Sequence, residues 1–151
     1  MSGARQHLNC HQLGAALSMI AAIVFAIAFI PPAGAYDSRA TAAQVCRYGY
    51  TRPQRALDTY ALRDRVYTRY GLARGHRAGL YVIDHLIPLE LGGLTVDENL
   101  WPQTRADAAR KDLDEDRLHG EVCSGRIKLD GARREILRLW GRAGAFPRAG
   151  R

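Results

Sequence analysis

The chain has 151 residues, which is enough for one domain of ordinary size and too few for two. It carries 22 Lys and Arg against 15 Asp and Glu, so its formal net charge of +7 favours nucleic acid or another polyanion as a partner. With three cysteines it cannot build a four-thiolate zinc site.

The first 35 residues differ in composition from the rest of the chain. They contain no acid and a single Arg, and an almost unbroken apolar run extends over residues 13–30. Two prolines and the small residues Ala-Gly-Ala follow this run. This order predicts a secretory signal peptide cleaved after Ala35, and therefore a periplasmic or secreted protein whose mature form is not membrane-bound. The alternative is an uncleaved anchor, because the run is as long as a minimal transmembrane helix.

Cleavage after Ala35 would leave two of the three cysteines, Cys46 and Cys123. An even pair in an exported protein predicts a disulfide, with two free buried thiols as the alternative. The bridge would close a long loop and contribute about 4 kcal/mol in the chain-entropy model.

The first part of the mature chain contains one predicted helix. Residues 36–50 look irregular, whereas the apolar spacing from Asp58 to Tyr70 predicts a helix that ends at Gly71. The segment "GLARGHRAG" is then a predicted loop. Its Arg74 and Arg77 are candidate phosphate contacts, and a solvated basic loop is the alternative.

A hairpin and two helices follow. Leu80 to Ile83 predicts a short strand that leads into Asp84 and His85. A proline and a glycine pair predict an enlarged turn, and the second strand begins near Asn99. A capping box at Thr104 and Asp107 predicts the start of a helix that ends near Val122. Its predicted core face consists of Ala109, Leu113, Leu118 and Val122. A last helix is predicted from Asp130 to Trp140, and it buries Ile136, Leu137 and Trp140.

Four short segments carry a resemblance to a known family. They are "DHLIPLELGG" at 84–93, "NLWPQ" at 99–103, "KD" at 111–112 and "LH" at 118–119. Together they resemble the HNH endonucleases, whose active unit is the ββα-metal fold. With "C..GYT" and "VCSG" added, the string is similar to small exported bacterial HNH proteins over about residues 44–140.

The resemblance implies a small single α+β domain at residues 36–141, with a ββα-metal hairpin–helix core. The terminal segment at 142–151 is expected to be a disordered tail. The resemblance also implies a metal-dependent endonuclease that hydrolyses phosphodiester bonds of DNA with little sequence specificity. RNA is a second candidate substrate, and no small-molecule cofactor is expected. The metal would be one divalent ion, Mg²⁺ or Mn²⁺ by preference, with Zn²⁺ or Ni²⁺ open.

The chemistry assigns a role to each site residue. His85 has the intrinsic pKa of a general base near neutrality. Asp84 offers a hard oxygen ligand for the metal, which would stabilise the scissile phosphate and the leaving 3′-oxygen. Asn99 is expected either to orient the His85 ring or to bind the metal through its amide oxygen.

The third metal ligand departs from the family pattern. The usual final His would fall eight or nine residues after the Asn, where this chain has Asp107 and Ala108. Asp107 could supply an oxygen ligand or only cap the helix. Lys111 and Arg110 are candidate phosphate contacts. His119 is twelve residues past Asp107, about 18 Å along a helix, and is expected to pack at its far end.

A second function is compatible with this departure. A non-catalytic module that binds nucleic acid or an envelope partner could keep the HNH scaffold without the chemistry. The altered third ligand motivates this alternative, and divalent-metal-dependent cleavage of DNA separates it from the nuclease.

Overall fold

A computed structural model describes residues 32–72 and 79–142. The apolar run of the predicted signal, Arg74 and Arg77, and residues 143–151 of the predicted tail lie outside these ranges. Within them, no helix is both long enough and apolar enough to cross a membrane. The helices are α1 (Ala42–Val45), α2 (Arg52–Arg55), α3 (Tyr60–Arg69), α4 (Arg105–Cys123) and α5 (Leu129–Trp140), and the strands are β1 (Tyr81–His85) and β2 (Leu100–Thr104).

The predicted small α+β fold is confirmed, and its centre is an antiparallel hairpin followed directly by a helix. Strand β1 pairs with β2 so that His85 lies opposite Leu100 and Asp84 lies opposite Trp101. The strand therefore continues through the acid–imidazole pair and does not end at Ile83. Helix α4 begins immediately after β2, because the Thr104 side chain accepts a hydrogen bond from the Asp107 N–H as an N-cap.

The loop between the strands depends on two glycines. Leu89–Leu91 form one turn of 3₁₀ helix after Pro88, and Gly92 ends it in the left-handed conformation with φ of +85°. Gly93 follows without room for a side chain, since a Cβ there would lie 1.9 Å from the Ile87 carbonyl oxygen. This close approach folds the loop back on itself.

The main apolar core lies between α4, α5 and the hairpin loop. Its members come from α1, the loop and both long helices: Val45, Ile87, Leu91, Leu118, Val122, Leu129, Ala132 and Ile136. As predicted, Ile136 is completely buried, and Leu137 and Trp140 pack against this core partly buried.

The predicted core face of α4 was half wrong. Leu118 and Val122 are buried as expected, but Leu113 is 71 % exposed and Ala109 is also exposed. The third buried residue of the helix is Lys111. Residues 111, 118 and 122 recur at spacings of seven and four, so they share one face of the helix, whereas 109 and 113 lie on another.

Arg133 of α5 fixes the outer side of the hairpin loop. Its side chain is almost fully buried, and its Nε donates to the Leu91 carbonyl at 2.9 Å. The same guanidinium donates to the Asp37 carbonyl at 3.1 Å and lies over the Tyr36 ring. These partners compensate the buried guanidinium for its lost hydration. Through them, Arg133 links α5 to the hairpin loop and to the start of the described chain.

The segment before Tyr36 contacts the domain through its backbone. The N–H groups of Ala33 and Gly34 donate to the Glu98 carbonyl at 3.0 and 3.1 Å, and Tyr36 forms an antiparallel bridge with Gly93. Cleavage after Ala35 stays a prediction. It would remove the two hydrogen bonds to Glu98 and the one from the Leu94 N–H to the Ala35 carbonyl, and it would keep Tyr36.

The predicted disulfide is confirmed. Cys46 follows α1 and Cys123 is the last residue of α4, and their Cα atoms are 5.6 Å apart. The bridge joins positions 77 residues apart in sequence. It therefore ties the N-terminal part of the domain to the end of its longest helix.

We expect the double change Cys46→Ser and Cys123→Ser to lower the free energy of unfolding by about 4 kcal/mol, because the unfolded chain regains the entropy of a long open loop. Urea denaturation of the oxidised protein and of the double variant measures the difference. Equal stabilities, or an oxidised protein whose mass does not rise by two hydrogens on reduction, would contradict the expectation.

Candidate active site

His85 stands at the end of β1 and is held through its ring. Its Nε2 lies 3.0 Å from Oγ1 of Thr95, a buried residue of the hairpin loop. Burial lowers the pKa of His85 below its usual value of 6.5, while the nearby Asp84 carboxylate acts in the opposite direction. A lowered pKa keeps the imidazole neutral near pH 7, the state in which it accepts a proton.

A cavity of about 360 Å³ opens beside this imidazole. It is lined by His85, two loop residues and five charged side chains: Pro88, Leu89, Arg55, Glu90, Asp112, Glu115 and Asp116. Arg55 is paired with Glu90 at 2.6 Å. Four carboxylates therefore border the cavity against one guanidinium, and this excess of negative charge suits a cation.

Two of the cavity carboxylates, Asp112 and Asp116, lie one turn apart on the same face of α4. Among the described residues neither has a hydrogen-bond or ion-pair partner, and both side chains belong to exposed residues. Burial and then the charge of Asp84 raise the pKa of Asp112, with Asp116 and Glu90 adding to the same effect. Like charges are crowded here, and a bound cation would relieve their repulsion.

Lys111 lies beneath the cavity with its side chain completely buried. Its Nζ donates to the His85 carbonyl oxygen at 2.7 Å and to Glu115, and is 3.2 Å from Oδ2 of Asp84. Burial raises the pKa of Glu115 to about 7, although the Lys111 ammonium acts to lower it. The prediction that Lys111 contacts phosphate was wrong, because its ammonium is enclosed as the counter-ion of two carboxylates.

Asp84 is engaged in the same cluster. One carboxylate oxygen accepts the His85 N–H at 2.7 Å, and the other faces Lys111. Asp84 therefore holds the end of β1 onto α4 and is not among the residues that line the cavity.

Asn99 has a different role from either of the two predicted. Its side chain is completely buried, and its Oδ1 accepts the Ile87 N–H at 2.8 Å. Its Nδ2 donates to the carbonyls of Ile87 and Leu94 at 2.9 and 3.0 Å. With both amide hydrogens used inside the loop, Asn99 neither orients the His85 ring nor offers an oxygen to the cavity. It fastens the hairpin loop, and Thr95 is the residue that holds the imidazole.

Asp107 lies in the first turn of α4 and takes part in the cap of that helix, whose N-cap residue is Thr104. It accepts a hydrogen bond from the Thr104 hydroxyl and pairs with Arg110, whose side chain is 71 % exposed. Arg110 and then Thr104 hold the pKa of Asp107 below its usual range. The side-chain oxygens of the three predicted ligands, Asp84, Asn99 and Asp107, are therefore all engaged by protein groups, while Arg110 stays accessible for a phosphate contact.

Among the described residues, one group brings three nitrogen, sulfur or carboxylate ligand atoms within 4.8 Å of one another: Cys46, His119 and Cys123. Both sulfur atoms of that group form the disulfide, and His119 packs against it as expected, 3.2 Å from the Val45 carbonyl. The cavity offers a simpler donor set. Mg²⁺ is usually bound by one or two carboxylates together with waters and substrate phosphates, so Asp112 and Asp116 fit a hard divalent cation.

Comparison with known proteins adds no relative. No family model matches the chain, and neither a curated protein nor a solved structure shows a significant similarity to it.

Lys111→Met should lower the free energy of unfolding by about 3–5 kcal/mol, because the partly buried carboxylates of Asp84 and Glu115 lose their counter-ion. The adjacent change Arg110→Met is the matched control, since it breaks only an exposed pair worth at most about 1 kcal/mol. Urea denaturation of both variants provides the comparison. A loss for Lys111→Met no larger than for Arg110→Met would refute the counter-ion role.

Proposed function

We propose that the protein is an exported, metal-dependent endonuclease of the HNH type that hydrolyses phosphodiester bonds of DNA, with RNA as a second candidate substrate. The observation that supports this proposal best is the imidazole of His85 beside a carboxylate-lined cavity, at the junction of the hairpin and α4. A general base next to a site for a hard cation is the minimum set for hydrolysis of a phosphodiester.

The charge of the cavity explains why a metal would be required. Its four carboxylates and single guanidinium would repel a phosphodiester that approached alone. Asp112 and Asp116 would hold a divalent cation whose two charges offset theirs, and which would supply the Lewis acid for the phosphate and the departing 3′-oxygen. Glu90 is already neutralised by Arg55, and Glu115 by Lys111, so the two aspartates are the carboxylates left to bind the ion.

The division of labour among the remaining residues follows from their contacts. His85 would take a proton from the attacking water, since its lowered pKa keeps it in the basic form near neutrality. Lys111 and Asp84 hold the end of β1 that carries this imidazole, and Asn99 fastens the loop that follows it.

The net charge, +7 for the full chain and +6 once Arg5 is removed with the predicted signal, would attract the polyanion as a whole. Contacts between arginines and backbone phosphates carry no base information, which fits cleavage with little sequence preference.

The first test is cleavage of supercoiled plasmid DNA by the purified protein. We expect nicking with Mg²⁺ or Mn²⁺ that stops on addition of EDTA. His85→Ala should lower the maximal rate about 10²–10⁴-fold at saturating metal, because water loses its proton acceptor. Full activity of His85→Ala would reject the proposed mechanism. DNA binding without cleavage by the wild-type protein would favour the non-catalytic module in its place.

The second test locates the metal. Asp112→Asn and Asp116→Asn should each raise the metal concentration at half-maximal rate about 10-fold or more, because an amide is a weaker ligand for a hard cation than a carboxylate. Asp107→Asn is the matched control on the same helix, and its metal midpoint should stay near that of the wild type. A shift confined to Asp107→Asn would return the metal to the position first predicted from the sequence.

A further inference from the structure

The hydrogen bonds of Thr95 define which ring nitrogen of His85 carries the proton. The Thr95 hydroxyl has one hydrogen, and its Oγ1 lies 2.8 Å from the main-chain carbonyl oxygen of Gln54. A carbonyl oxygen only accepts, so the hydroxyl hydrogen points to Gln54. Oγ1 must then accept at its second contact, the one with His85 Nε2 at 3.0 Å. Nε2 is therefore the protonated nitrogen.

Thr95 cannot readily turn to another partner. Its own N–H donates to the side-chain Oε1 of Gln54 at 2.7 Å, so Gln54 binds both the backbone and the hydroxyl of the same residue. Thr95 is only 6 % exposed. Gln54 belongs to α2, and these bonds join that short helix to the hairpin loop across 41 positions of sequence.

We propose that Thr95, fixed by Gln54, is a positioning residue that locks His85 as the Nε2–H tautomer and leaves Nδ1 as its basic atom. A neutral imidazole has one donor and one acceptor nitrogen, so protonation at Nε2 leaves the Nδ1 lone pair free. Within the described residues Nδ1 has no hydrogen-bond partner, and the His85 side chain borders the cavity. The catalytic meaning of this lock depends on the proposed nuclease function, whereas the tautomer itself does not.

The lock matters because the wrong tautomer cannot act as a base at the same atom. With the hydrogen on Nδ1, the lone pair would point at Thr95 and the cavity side would hold a donor. Groups that hydrogen-bond the second ring nitrogen of a metal-bound imidazole typically change its affinity or activity about 10–100-fold, and we expect a similar range for Thr95. A Thr95 variant should therefore lose less of the rate than a His85 variant, because removal of His85 removes the base altogether.

Nitrogen NMR of the protein labelled with ¹⁵N-histidine, at a pH where His85 is neutral, tests the tautomer directly. The wild type should show a protonated Nε2 and an unprotonated Nδ1 for His85. Thr95→Val, which keeps the shape of the side chain and removes the acceptor, should lose this single pattern. Thr95→Ser should retain it. The ring signals of His119 serve as the reference for an intact fold.

Plasmid cleavage supplies the second readout. Thr95→Val should lower the maximal rate about 10–100-fold with the metal midpoint unchanged, and Thr95→Ser should restore most of the rate. A wild-type spectrum with the proton on Nδ1 overturns the proposal even if Thr95→Val does not fold. An unchanged tautomer in a folded Thr95→Val protein overturns it as well. A protein with the expected tautomer that cuts no DNA removes the nuclease function and leaves the tautomer assignment standing.

Discussion

The interaction on which the rest of the site depends is the enclosed ammonium of Lys111. It reaches from α4 to the end of β1, where it meets the His85 carbonyl and the Asp84 carboxylate, and it is paired along its own helix with Glu115. An ammonium out of contact with water is retained only when several acceptors compensate for its lost hydration. The position of the His85 imidazole is therefore coupled to the packing of the helix, and neither can shift without exposing an uncompensated charge.

The same cluster explains the character of the cavity above it. One ammonium neutralises part of the negative charge of Asp84 and Glu115, and one guanidinium neutralises Glu90. The carboxylates of Asp112 and Asp116 are left over, close to groups of like charge and without partners of their own in the described chain. This excess negative charge lies on the solvent side of the cluster, where a hydrated cation can reach it without entering the core.

The hairpin and α4 could be predicted from the sequence because short-range patterns determine them. The run of β-favouring residues, the glycine pair and the Thr104 cap act over a few residues, and they gave the hairpin and α4 close to their observed bounds. The disulfide followed from the count of cysteines. Helices α1 and α2 were not predicted, because each has only four residues and shows no apolar periodicity; the local signals were the capping box of Thr41 and Gln44 for α1 and the proline at the start of α2.

The details of the site depended on tertiary contacts and were mostly not predictable. Asn99 bonds backbone groups up to twelve residues away, so its amide is consumed by a loop whose path the sequence does not specify. Lys111 was assigned to the surface because charged residues usually lie there, and only the folded structure brings acceptors around it. Thr95 had no distinguishing signal, since its significance comes from Gln54, 41 positions earlier.

The outer side of the hairpin loop is bonded to Arg133, and the inner side to Asn99. A loop clamped from both sides has few alternative conformations, so the wall of the cavity is a preorganised surface and not a lid that closes over a substrate. Such a wall adds no ordering entropy to the free energy of binding, and it cannot adapt its shape to different ligands. Selection among ligands would then depend on what fits a rigid, charged opening. For the proposed nuclease, such an opening favours a feature common to all nucleic acids over the individual shape of any base.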